Sequence, residues 1–208
     1  MVCRLINRVV RYDMNEELRR KERLNEYYSR LQSHDCISNL FRVSLARVED
    51  SCWYWGTISN KEASFVLRNS EEGTFLLRDS SDSRYYFSLS VKVHETILNI
   101  RVLYSNGKFM FDCFKTRLND IPKFDCVIKL ISYYVAVSQT EDGRRILTKS
   151  AEHGETEIRL QKPRFSKVPS LEHLCRRVVN RSWNKDEQCS LALTRGIDKY
   201  IRQYPYSI

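Results

Sequence analysis

An arginine at the end of an apolar run must be paired with something, and one stretch of this chain raises that demand. In Gly73-Thr74-Phe75-Leu76-Leu77-Arg78-Asp79-Ser80-Ser81-Asp82-Ser83 the residues 74–77 read as a buried strand after a glycine turn. Arg78 arrives where that strand ends. Its guanidinium stays ionised, and desolvating it without a partner is costly. Two partners stand open. One is internal, for instance Asp79; the other is an anion from outside. A bidentate fork, with the hydroxyls and N–H groups of Ser80 and Ser81 around it, suits a phosphate group. Arg84, at the far end of the same loop, is expected to be solvated. A thiol chemistry is the other possibility to weigh, since His173 stands two residues before Cys175. Two helical steps turn about 200°, so base and thiol face apart, and no catalytic residue is assigned.

Residues 59–163 supply the elements that must hold Arg78. Ser59 with Glu62 three residues on forms a capping-box pattern, opening a helix whose buried side is Ala63, Val66 and Leu67. Strands are predicted at 74–79, 85–92, 97–104 and 108–112, the last two joined through Ser105-Asn106-Gly107. A second helix is predicted over 124–137, with Val127, Leu130, Ile131 and Tyr134 on one face. The polar, glycine-containing stretch 138–156 reads as a loop, with a closing strand at 157–160. Helix, antiparallel sheet, helix makes an α+β sandwich with one helix on each face. Upstream, 14–32 reads as an exposed helix, and Ser38 caps a further helix through about Glu49. Downstream, Ser170 caps a helix on which Leu171, Cys175 and Val179 recur every four residues, flanked by Leu174 and Val178. So short a stripe needs a partner surface.

Bulk properties exclude several classes. The 208 residues are 42% hydrophobic and carry a net charge of +9. That excess sits at the two ends, because residues 31–163 hold 18 basic groups against 17 acidic ones. A nucleic-acid binder concentrates its basic groups on the reading domain, so none is expected to bind here. No apolar window approaches membrane-spanning length and no signal-peptide pattern is present, which points to the cytoplasm without membrane insertion. Seven cysteines without Cys-x-x-Cys spacing and four scattered histidines predict free thiols, no metal site and no cofactor.

The stretch from Trp53-Tyr54-Trp55-Gly56 through Glu62-Ala63 and Leu67 to Gly73–Ser80 resembles the opening of a Src-homology-2 domain. The resemblance implies that Arg78 lies at the floor of a phosphotyrosine pocket. Ser80 and Ser81 stand where the family supplies hydroxyl and backbone donors, and Arg101 where related domains bring a second cation beside the tyrosine ring; an exposed strand arginine is the alternative for Arg101. Two departures thin the pocket: Asn60 replaces a frequent arginine, and Val102 a frequent histidine. Peptide specificity is expected from a groove on the other side of the sheet, lined by Leu103, Tyr133 or Tyr134 and the loop 138–156.

The C-terminal part resembles a SOCS box, through Leu171-x-x-x-Cys175 and the ending Asp198–Tyr206. With the phosphotyrosine module it resembles a suppressor of cytokine signalling of the short type. Residues 1–50 are then a helical extension partly docked on the next domain, 51–163 the Src-homology-2 fold, and 164–208 a linker and small all-helical box. The resemblance implies that Leu171, Leu174, Cys175 and Val179 contact elongin C, itself bound to elongin B. It implies that the segment holding Leu191 and Leu193 contacts cullin-5. There Ala192 and Thr194 replace two prolines, so cullin recruitment is the weakest carry-over. Residues 29–41 do not resemble the segment with which some members block Janus kinases. Two readings follow: a non-catalytic adaptor that brings phosphotyrosine proteins to a ubiquitin ligase, dampening JAK-STAT signalling, and a module that only masks phosphotyrosines.

Overall fold

Alternation of period two builds the centre of the chain. In the computed structural model, which describes residues 35–112, 121–140, 146–150, 154–182 and 194–208, strands β1 (Phe75–Asp79), β2 (Phe87–Val93), β3 (Thr96–Ser105) and β4 (Lys108–Phe111) form an antiparallel sheet in that order. Two compact units divide the chain, Met1–Leu40 and Phe41–Ile208, and apart from the start of the first helix everything below concerns the second. The β3–β4 turn is Asn106-Gly107, both at positive φ, as a tight hairpin whose twist matches its strands requires. On the side of β1 away from β2, Trp55 N–H donates to Leu77 O and Arg164 N–H to Phe75 O. Gly73 has φ +76°, and a Cβ there would lie 2.8 Å from the Arg159 carbonyl oxygen, so no other residue fits this crossing.

The helices cover the sheet as expected. Ser59 caps α2 (Asn60–Leu67) through a reciprocal bond with Glu62. Its Ala63 and Leu67 pack with Leu76 and Ile97 on one face. On the other face α3 (Val127–Ser138) buries Val127, Leu130, Ile131 and Tyr134, with the Tyr134 ring 5.0 Å from that of Phe111. Phe41 of α1 (Asp35–Asp50) stacks among Tyr86, Tyr104 and Phe109.

Several boundaries differ from expectation. The helix α1 starts at Asp35, so Ser38 lies inside it rather than capping it. Phe124 does not begin α3: its N–H and C=O are both spent on Phe109 beside β4, and the helix waits until Val127. The stretch expected to be a loop contains β5 (Ile146–Ser150) and most of β6 (Gly154–Ile158), a hairpin. Each strand is too short to announce itself, and only the pairing makes them strands. The expected helix over 14–32 lies outside the described residues.

Two helices follow the closing segment, α4 (Leu171–Ser182) and α5 (Arg195–Gln203). Ser170 Oγ accepts from His173 N–H, the expected cap. Tyr204 is wholly buried, and its main-chain oxygen accepts from Asn180 Nδ2 at 2.7 Å. Arg47 of α1 reaches Gln203 O and the Tyr206 hydroxyl at 3.1 and 3.3 Å, which ties the C-terminal segment to α1.

Candidate functional site

The register puts Arg78, Ser88 and Arg101 side by side on three adjacent strands, with Ser90 and Asn99 forming the next row. Arg78 is 3% exposed. Its Nε donates to Ser90 Oγ at 3.1 Å and Nη1 to the Asp79 carbonyl at 3.0 Å. Nη2 donates to Asn99 Oδ1 at 3.0 Å and to Asn60 Oδ1 at 3.4 Å. All four acceptors are neutral. Among the described residues no carboxylate forms an ion pair with Arg78, and the Asp79 carboxylate takes the Tyr54 hydroxyl instead. Burial pushes the Arg78 pKa down from its ordinary value, with the Asp79 charge opposing, yet a guanidinium remains protonated. The result is a nearly buried cation, held rigidly in position, whose charge is not neutralised. Such a group can receive an anion.

The rim is less simple. Ser80 Oγ accepts from Asp82 N–H at 3.2 Å, which shapes the loop, while Ser81 is exposed. The Arg101 guanidinium lies 5.2 Å from the Tyr85 ring centre, and the Tyr85 hydroxyl is anchored on Asp112. It also approaches Asp82 at 3.5 Å. Asp82 is chelated by Arg84, which with the nearby Arg101 holds its carboxyl down at about 2. Arg84 is therefore engaged locally as well as exposed. Ser88 escaped the sequence reading. It is nearly buried between the two arginines, and the alternation Ser88-Leu89-Ser90 was the signal that both serines share the face of Arg78.

Asp82 competes with any anion for Arg101. Asp82→Asn is expected to tighten phosphopeptide binding at low salt by about two- to fivefold, the scale of an exposed ion pair. Arg101→Ala should weaken it by a similar factor and remove the gain from Asp82→Asn. Titration calorimetry on the two single variants and the double variant checks this. An unchanged affinity in Asp82→Asn would mean that Arg101 does not reach the phosphate.

The expected groove needs correction. Leu103 follows Arg101 by two residues and therefore shares its sheet face, opposite the one covered by α3. Leu103 and the α3 tyrosines thus stand on either side of the sheet, with β3 and β4 between them. Tyr133 is half-buried against Phe124, whereas Tyr134 is only 6% exposed.

A second feature lies on α4. Its inner face is polar: His173 and Arg176 are buried, and Arg177 and Asn180 bond to the C-terminal segment. Its outer face carries Leu171 at 76% exposure, Leu174, the Cys175 thiol and Val178 at 61%, with Val179 half-buried at the edge. This is the reverse of an ordinary surface helix. Inside, Arg176 Nη2 donates to His173 Nδ1 at 2.8 Å, which puts the histidine proton on Nε2. The Arg176 guanidinium stacks 4.3 Å from the Tyr200 ring centre. Burial first, then the charges of Arg176, Arg177 and Lys167, lower the His173 pKa from 6.5 to about 4. Protonating His173 favours the unfolded form, so its contribution is complete above about pH 6.5 and is lost as pH falls toward 4. Thermal unfolding should show this loss, and His173→Asn, which keeps an acceptor for Arg176 but does not titrate, should flatten it. An equally steep profile in the variant would place the sensitivity elsewhere. Leu191 and Leu193 lie outside the described residues; Thr194, the residue before α5, has φ −62° and ψ 150°.

The sheet, its two flanking helices and the buried arginine define a class, and residues 53–134 match the SH2 domain model. The fold is that of an SH2 domain. Relatives extend the likeness beyond it. The chain is 34% identical over 172 residues to human suppressor of cytokine signaling 2, covering 79% of this chain and 81% of that protein. It is 34% identical over 185 residues to chicken cytokine-inducible SH2-containing protein, covering 83% and 72%, and 32% identical over 170 residues to chicken suppressor of cytokine signaling 3, covering 77% and 81%. The chain belongs to the suppressor-of-cytokine-signalling family. Among the described residues, no helix is long and apolar enough to cross a membrane.

Proposed function

We propose that this protein is an adaptor that binds tyrosine-phosphorylated receptor or kinase segments and suppresses cytokine signalling by delivering them to a ubiquitin ligase. The observation that carries the reading is Arg78, nearly buried and bonded only to neutral acceptors. Arg101, Ser80, Ser81 and Ser88 complete the phosphotyrosine pocket, within a domain spanning 51–163. Leu103, on the Arg101 face of β3, lines the path of the peptide beside the pocket, and Tyr133, more accessible than Tyr134, stands beyond the sheet on the α3 side.

Residues 164–208 act as a SOCS box. The outward stripe Leu171, Leu174, Cys175 and Val178, with Val179 at its edge, inserts into elongin C, as an amphipathic helix lays its apolar face into a groove. Elongin B comes with it, and cullin-5 follows through Leu191 and Leu193. The proline-like backbone of Thr194 supports a departure there that costs chain entropy more than shape. The exposure of that stripe favours this adaptor over a module that merely masks phosphotyrosines.

A pulldown of the intact chain with phosphorylated and unphosphorylated peptide libraries, scored also for elongins B and C, tests both ends. Phosphate-dependent capture together with the elongins is expected. Capture without elongins leaves the masking module; no phosphate-dependent capture overturns the reading.

A further inference from the structure

Lysine 92 is out of place for a structural residue. It is 8% exposed as a whole on the Arg78 face of β2, in a row with Ile97, and its ammonium, held by no hydrogen bond or ion pair among the described residues, opens into a cleft. The other buried cations, Arg78 and Arg176, both have side-chain partners. The aliphatic stem of Lys92 is packed while its ammonium opens into the cleft, so methionine would fill the place of the stem without the charge.

Lys92 lines a cleft of about 460 Å³ between α2 and the β2–β3 hairpin. Two further cations, Lys61 and Arg68, face the same space against a single carboxylate, Glu95. Two apolar groups stand among its polar ones: Ile97, half-buried, and Phe65, which is 71% exposed although it belongs to a helix with a well-buried inner face. The Arg68 guanidinium stands 5.7 Å from the Phe65 ring centre. A flat apolar body ending in an anion matches both sets of groups. The cleft also adjoins the phosphotyrosine pocket, since Asn60 lines it and accepts from Arg78 Nη2.

We infer that this cleft is a second subsite that takes the side chain of another phosphotyrosine in the same peptide, so that the protein prefers doubly phosphorylated segments. The inference rests on Arg78 binding the first phosphotyrosine. Phe65 and Ile97 hold the second ring, and Lys92, Lys61 and Arg68 meet its phosphate. A membrane surface is a poorer fit, because three cations beside a carboxylate fall short of the basic clusters that anionic lipid attracts.

The test uses the full chain and the tightest singly phosphorylated peptide from a fixed-phosphotyrosine library. A second phosphotyrosine is added at each of the five positions before and after the first, with unphosphorylated tyrosine as the control. At one or more positions the second phosphate should tighten binding on the order of tenfold, the scale of a charge-assisted contact. Lys92→Met should erase that gain while keeping affinity for the single phosphotyrosine and an undiminished melting temperature; Lys61→Gln, an exposed change, should erase part of it. Equal affinity for singly and doubly phosphorylated peptides overturns the inference, as does a gain that survives Lys92→Met. Vesicles containing phosphatidylinositol bisphosphate form a separate arm: Lys92-dependent vesicle binding without a second-phosphate gain assigns the cleft to lipid and overturns it as well. If the singly phosphorylated peptide itself fails to bind, the fault lies with the Arg78 reading, and the second subsite falls with it.

Discussion

Arg78→Lys is expected to lower phosphotyrosine-peptide affinity by roughly thirtyfold or more, about 2–3 kcal/mol, while the fold stays intact. Charge is not what the substitution removes. The present guanidinium is held from three sides, by Ser90 on β2, Asn99 on β3 and the Asp79 carbonyl. Those bonds fix the plane of the fork, and a phosphate that takes the spare Nη1 hydrogen and displaces the long 3.4 Å bond to Asn60 is met at two oxygens at once. A lysine ammonium has three donors and no plane, so with Ser90 and Asn99 satisfied it keeps one donor for the phosphate and cannot meet two of its oxygens. Stability should change little, because the ammonium can still use one of the same acceptors. Calorimetry with a phosphopeptide decides it, alongside a melting curve. Affinity within about threefold of the parent, in a folded variant, would remove Arg78 from the pocket.

Leu171→Asp combined with Cys175→Asp should abolish elongin binding and leave phosphopeptide affinity unchanged. Both side chains point outward in the isolated chain, so the carboxylates are fully hydrated there and do not disturb α4. In the complex they would be buried in an apolar groove without a partner, at a cost of roughly 3 kcal/mol or more for the pair. The contacts that hold α4 to its own molecule, through His173, Arg176 and Asn180, lie on the opposite face and survive. Co-purification with elongins B and C measures the loss, and the same preparation titrated with phosphopeptide supplies the control. Retained elongin binding would mean that another surface makes the contact. Ala192→Pro with Thr194→Pro should act in the other direction on cullin-5, since proline lowers the entropy lost on ordering the segment. At Thr194 the backbone already has a φ that proline accepts.

Local signals were enough for much of this protein. The capping box of Ser59 and Glu62, the Asn106-Gly107 turn and the burial of Val127, Leu130, Ile131 and Tyr134 depend on neighbours a few residues away, and the chain spells them out. The demand of Arg78 for a partner was equally legible, because no strand can bury a guanidinium unaided. What answers that demand was not. Ser90, Asn99 and Asn60 lie 12, 21 and 18 residues from Arg78, and only strand register and the docking of α2 bring them to it. The same non-local pairing joined 146–150 to 154–158 as strands and took Phe124 out of its helix. It also put Leu103 on the face of Arg101, a consequence of period two that is certain once the strand is known to run unbroken through both. On α4 the apolar stripe could be read from spacing alone, but spacing cannot tell which side of a helix a protein turns inward. The buried side here is the polar one, with Arg176 stacked on tyrosines of the C-terminal segment, so the apolar residues are left for a partner.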